Sequence, residues 1–193
     1  MSFASRFYRP FVSTPGFVDQ MNLVLLNFNG TNGSTSIVNS APSGLAFTAL
    51  GGSLLTTTSP KFGSAQLVYT DTGDTGGVVS AENITLNGEF CIECWPTSSA
   101  NDGAMFSIGD YSGGGSFLSL EYNGSALEIY SKSSNASAGF IGNAGYTFSG
   151  QPHLAMIRNA AGELRVTSNG SVVLGPFTFT ESITGKFVVL NEY

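Results

Sequence analysis

The chain has 193 residues, a formal net charge of −6, 41% hydrophobic residues and only 10% charged ones. That length suits one domain. A charged share far below the about 25% of average globular proteins leaves a solvent face built from Ser, Thr, Asn and Gly. The negative balance lacks the basic footprint that nucleic-acid binding needs and does not attach to an anionic membrane surface. No apolar run is long enough for a bilayer-spanning helix.

Residues 1–20 read as an arm. Phe3, Phe7, Tyr8, Phe11 and Phe17 alternate with the breakers Pro10, Pro15 and Gly16, and Arg6 and Arg9 add local positive charge. The stretch MSFASRFYRPF has no apolar core of a signal peptide. Synthesis in a cytoplasm is therefore expected, with any release by another route, such as inside a particle. The arm has two roles open to it: folding back over the domain, or docking on a neighbouring subunit.

From residue 21 onward the pattern is strand and turn. MNLVLLNF, with Leu23 and Leu25, is a first strand, and NGTNGS ends it. LAFTAL, SLLTTT, SAQLVYT and GGVVS follow. GEFCIECW alternates Phe90, Ile92 and Cys94 against Cys91, Glu93 and Trp95. AMFSIGD precedes SFLSLEYNGSALEIYSK, a hairpin with Asn123-Gly124 at its turn. HLAMIRN and ELRVTSNG pair, Asn169-Gly170 turns into SVVLG, and FTFTE and KFVVLNEY finish the chain. No stretch of ten or more residues carries a helical period. Some dozen short strands with frequent turns, among 25 glycines, mean an all-β sandwich or barrel.

Few residues suggest chemistry. Cys91 and Cys94 form a CxxC, but on a strand they stand roughly 10 Å apart on opposite faces, outside disulfide reach, and no second pair completes a zinc site. Glu89 and Glu93 share a face roughly 13 Å apart, too far for a glycosidase pair. Glu121 and Glu128 flank the hairpin as solvated positions. His153 is the only histidine, no GxSxG elbow accompanies it, and no phosphate or dinucleotide loop is present. No catalytic residue or cofactor site is assigned. Calcium is the one metal the loops suggest, through Asp71, Asp74 and Asp102 in Gly-rich turns. For a glycan, Tyr111, Tyr122, Tyr130 and Trp95 offer rings for the apolar face of a sugar.

Three segments in order, SPKFGSAQLVYT (59–70), GEFCIECWPT (88–97) and HLAMIRNAAGELRVTSNGSVV (153–173), together with the opening LLNFNGTNGST, resemble the concanavalin A-like, laminin-G-type β-sandwich. The resemblance covers about residues 22–190. It implies an all-β, concanavalin A-like jelly-roll sandwich of two antiparallel sheets over residues 21–193, preceded by the arm at 1–20. Two departures stand out. Gln151 and Pro152 replace the Trp usual before the His, and no final strand follows KFVVL to return beside the first. The strand at 21–28 is therefore expected to lie against either the arm or another chain, because open strand edges are covered or paired.

Domains of this sort are frequent in bacteriophage virions. The resemblance thus implies a non-enzymatic virion structural protein, a capsid decoration or cement protein or a tail-associated one. It would adhere through the arm and open edge (Phe3, Arg6, Phe7, Tyr8, Arg9, Phe11, Phe17, Leu23 and Leu25). Its partners would be a major capsid or tail protein and further copies of itself, with a trimer the first expectation. The alternative is a carbohydrate-binding adhesion module, a receptor-binding part of a tail fibre, using Tyr111, Tyr122 and Tyr130.

Overall fold

The computed structural model describes residues 5–8, 24–69, 76–96, 103–109, 115–132 and 139–191, with backbone alone at 5–8, 69, 190 and 191. These residues contain fifteen strands and no helix. In chain order they are β1 (Ser5–Tyr8), β2 (Leu25–Leu26), β3 (Phe47–Leu50), β4 (Ser53–Thr56), β5 (Gln66–Tyr69), β6 (Gly77–Leu86), β7 (Phe90–Cys94), β8 (Gly103–Gly109), β9 (Phe117–Tyr122), β10 (Ala126–Lys132), β11 (Gly139–Gly145), β12 (Leu154–Arg158), β13 (Glu163–Ser168), β14 (Ser171–Thr178) and β15 (Ile183–Asn191). One sheet has the order β14-β13-β12-β7-β1-β2, the other β11-β10-β9-β8-β15-β6-β3, and β4 pairs with β5 alone. The protein is an all-β jelly-roll sandwich of two antiparallel sheets.

Period-two alternation decides which side chains meet inside. On β7 the buried set is Phe90, Ile92 and Cys94, opposite Arg158, Met156 and Leu154 of β12. On the facing sheet Phe106 and Ile108 register with Leu120 and Leu118 of β9, and with Val189 and Phe187 of β15. The Phe187 ring lies 6.3 Å from Phe106 and 6.5 Å edge-on from Phe47, so one aromatic joins three strands of a sheet to the core. Leu55 and Leu67 of the β4–β5 pair are also fully buried in this core.

Several elements differ from the expected strands, each for a local reason. The first strand shrinks to β2, because Asn39 takes the place of a ladder: its Oδ1 accepts from Leu25 N at 2.8 Å and its Nδ2 donates to Leu45 O at 3.0 Å. β6 runs past Ser80 to Leu86, since the Ser80 hydroxyl bridges an irregular register, donating to Glu82 O and accepting from Phe187 N. β14 continues through Pro176 and joins two expected strands. β11 was not legible at all, because GFIGNAG has neither alternation nor β-branched density. Its glycine has a use: a Cβ on Gly142 would sit 2.4 Å from the Phe177 ring of β14, so the two sheets close together here only over a bare backbone. The N-terminal segment supplies β1, antiparallel between β7 and β2. Arg6, Phe7 and Tyr8 lie on it and Leu25, half-buried, on β2. Phe3, Arg9, Phe11, Phe17 and Leu23 lie outside the described residues.

Arg158 is an inward position of β12 and only 2% exposed. Its guanidinium lies 4.8 Å from the Phe90 ring and 5.5 Å from that of Phe179. Nε donates to Gly88 O and Nη1 to Glu181 O. Burial pulls its pKa down, but an Arg keeps its charge across the physiological range. The side chain thus ties the turn before β7 to the loop before β15. Arg158→Ala leaves a cavity and two carbonyls without their donor, and should cost about 3 kcal/mol or more. A urea denaturation series checks it: the midpoint falls while the slope is unchanged.

Candidate functional site

The hairpin β9–β10 turns around Gly124 and Ser125, one residue later than expected. Gly124 has φ +82°, as the first central residue of a tight hairpin turn requires. Asn123 lies before the turn and caps it: its Oδ1 accepts from Ser125 N at 3.1 Å, Ser125 Oγ at 3.0 Å and Ala126 N at 2.8 Å. A turn moved by one residue slides the pairing by two. Tyr122 then faces Leu127, and Glu121 faces Glu128.

That register builds two rows on the outward side of the seven-stranded sheet. One runs Ala104, Glu121, Glu128 and Asn143; the other runs Ser107, Ser119, Tyr130 and Phe140. Directly opposed residues have Cβ atoms about 4.5–5.5 Å apart, so the two carboxylates are neighbours rather than separate solvated charges, correcting the sequence expectation. Ser119, fully buried, donates to Glu121 Oε1 at 2.5 Å. Asn123 Nδ2 donates to Glu128 Oε1 at 2.6 Å, and Tyr130 OH to Glu128 Oε2 at 3.1 Å. The Tyr130 and Phe140 rings meet edge to face at 5.4 Å. Phe140 is 51% exposed, Asn143 is exposed and Tyr130 half-buried.

Burial raises the Glu121 pKa above 4.5, the Ser119 hydrogen bond lowers it in part, and the charge of Glu128 raises it again. The arrangement offers fixed hydrogen-bond acceptors, an exposed amide and a ring surface on one face. A sugar presents the complement, hydroxyls around its rim and C–H bonds over an apolar face that packs on an aromatic ring.

Of the sequence candidates, only Tyr130 lies on this face among the described residues. Tyr122 is a correction: it is 2% exposed, points inward, and donates its hydroxyl to Gly124 O at 2.8 Å, so its ring is core. Tyr111, Asp71, Asp74 and Asp102 lie outside the described residues. Among the described residues no three His, Cys, Asp or Glu side chains are grouped to hold a metal. Phe140, Asn143, Glu121 and Glu128 were missed as a set. The signal for the two carboxylates was Gly124-Ser125, which reads as a turn with its glycine first. Phe140 and Asn143 had none, since their strand did not read as one.

A second cluster lies at Trp95, on the other sheet. Trp95 stacks on His153 at 4.6 Å, and Phe62, 47% exposed, meets Trp95 edge-on at 5.0 Å. His153 Nε2 stands 3.6 Å from Glu93 Oε2. Glu89 precedes β7 and takes no part in it. Cys91 and Cys94 are free and face opposite ways, as expected. Burial, the charge of Glu93 and a hydrogen bond to it push the Cys91 thiol up to about 12. Burial also raises Cys94. Both are inert thiols rather than a redox pair.

No protein-family model matches the chain, and no curated protein matches it in sequence. Among solved structures the chain is similar to the carbohydrate-binding module CBM66 from Bacillus subtilis, at 12% identity over 76% of this chain and 92% of that one, with a TM-score of 0.43. It is also similar to a carbohydrate esterase from the Shiga toxin-encoding bacteriophage phi24B, at 10% identity over 76% of this chain and 90% of that one, with a TM-score of 0.40.

Glu121 gives the site a pH signature. Its folded pKa lies above the ordinary 4.5, so folding favours the protonated form. The stability it contributes is full below pH 4.5 and is lost as pH rises through the raised value. Thermal melts of the parent chain across that window should show the loss, and Glu121→Gln should remove it. A variant whose pH slope matches the parent would refute the assignment.

Proposed function

We propose that the protein is a carbohydrate-binding adhesion module that holds a glycan on the outward face of β10–β11 and does not turn it over. The observation that carries this reading is the ring pair of exposed Phe140 and half-buried Tyr130 in the row beside Glu128 and Asn143. Phe140 supplies the platform, Tyr130 holds Glu128 in place, and Glu128 and Asn143 meet hydroxyls. Glu128 already receives a donor on each oxygen, which suits a fixed acceptor better than a nucleophile. The net negative charge favours neutral or amino sugars over sialic acids and uronates.

The test is a glycan array followed by calorimetry. Phe140→Ala and Glu128→Gln should each weaken binding of the best neutral glycan about tenfold or more, equivalent to ~1.4 kcal/mol, with the melting curve little changed. Unchanged affinity in both variants would sink the site. Release of new reducing ends from a bound polysaccharide, lost in Glu128→Gln, would instead make the opposed carboxylates catalytic.

A second reading keeps the concanavalin A-like, laminin-G-type assignment in a virus particle. The chain would then be a capsid decoration, cement or tail-associated protein, made in the host cytoplasm and oligomeric, with a trimer the first expectation. What favours it is β1, an N-terminal strand placed at the β2 edge. Here the mass of purified particles and their protein content decide: absence of the chain from them disposes of the reading.

A further inference from the structure

β1 is an interior strand of the six-stranded sheet but joins it from far away in sequence. It registers Ser5, Arg6, Phe7 and Tyr8 against Cys94, Glu93, Ile92 and Cys91 of β7, and Ser5 and Arg6 against Leu26 and Leu25 of β2. Without it the β7 edge stands open, and the two-residue β2 keeps, among the described residues, no strand partner beyond its bridge from Leu26 to Asn39 and the Asn39 side chain on Leu25 N. The slot between β7 and β2 is therefore built to receive a strand, because unpaired edges are covered in stable sheets.

The slot is also specific. Ser5 and Phe7 stand at the inward register positions, opposite the buried Cys94 and Ile92, while Arg6 stands at an outward position opposite Glu93. A strand with an aromatic one step from a cation fits, and a slip by one residue puts the cation on the core face. The chain's own residues 5–8 carry that pattern.

The sixteen residues 9–24 join β1 to β2. Extended, they reach about 55 Å, more than the ~40 Å width of a domain this size. The same strand thus reaches its own slot or the identical slot of an adjacent copy, with the same ladder and the same register partners in either. We propose that the slot between β7 and β2 is an acceptor site for the N-terminal strand of a second copy of this chain, so that copies link by exchanging β1. This is independent of the glycan reading, which concerns the other sheet. Dilution favours the chain's own strand, and crowding of copies favours exchange. The two balance near the effective concentration of the tethered strand, on the order of millimolar.

Full-length variants test it. Arg6→Cys and Glu93→Cys chains are unfolded, mixed, refolded together near that concentration and oxidised. Cys94 is buried and Cys91 half-buried, and burial is the first cause of the raised pKa of each, so neither competes. The expected product is a disulfide-linked heterodimer, several-fold more abundant than in a control mixing Arg6→Cys with Thr48→Cys, an exposed residue of the other sheet. The double variant Arg6→Cys/Glu93→Cys, refolded dilute, should link within one chain and so report the register. In-chain linkage with no heterodimer overturns exchange. So does equal linkage to Thr48→Cys, or a double variant that never links.

Discussion

Three hydrogen bonds to Asn123 Oδ1 fix the register of β9–β10, and much of the seven-stranded sheet follows from them. This hairpin lies between β8 and β11, so its register sets which inward side chains stand level across four strands. Leu118, Leu120 and Tyr122 fall in line with Ile108 and Phe106 on one side, and with Ile129 and Leu127 on the other. A side-chain amide that mimics a backbone acceptor stabilises one turn over its neighbours in sequence. The alternative turn, centred on Asn123 and Gly124, would keep the faces but put Ser119 opposite Glu128 and separate the carboxylates. The outward chemistry is thus a by-product of the choice that packs the core.

Arg158 shows how the sandwich admits a charge. A buried guanidinium is costly unless its protons find partners and its charge finds negative density. Among the described residues no carboxylate supplies that density. Two carbonyls accept from Nε and Nη1, and the faces of Phe90 and Phe179 lie against the cation. Among the described residues Nη2 has no acceptor. The carbonyls belong to two loops at one end of the sandwich, so the side chain does for this end what Gly142 and Phe177 do at the β11–β14 margin. One end is closed by a long polar side chain, and the margin by the removal of one.

Alternation carried most of the legible fold. The buried row of β7, the inert CxxC and the Leu154–Met156 row were all readable from period two, and by the same period Arg158 had to point inward. What escaped had physical causes. β11 is three glycines around a ring, with no pattern to read. β6 passes an irregularity that a serine hydroxyl mends, so its second half looked like loop. The candidate site was the least legible part. It depends on a pairing register across two strands, and register lies in turn geometry rather than in composition. Asn123-Gly124 and Gly124-Ser125 are both plausible turns by residue type. The extra bonds that Asn123 makes from outside the turn separate them.

The two proposed surfaces also belong together physically. The ring and carboxylate rows face outward from the seven-stranded sheet, and the β1 slot lies in the six-stranded one, so occupying one leaves the other free. A single exposed aromatic beside a few polar acceptors gives modest affinity for one sugar, because hydroxyls trade water for protein with little net gain. Copies joined through β1 would present several such faces at once, and linkage of that kind raises avidity by about 10²–10⁴ without a new contact. A surface this poor in charge suits crowding, since neighbouring copies repel weakly. The few carboxylates that remain are then most effective where the hairpin register has gathered them, next to the ring that a sugar would cover.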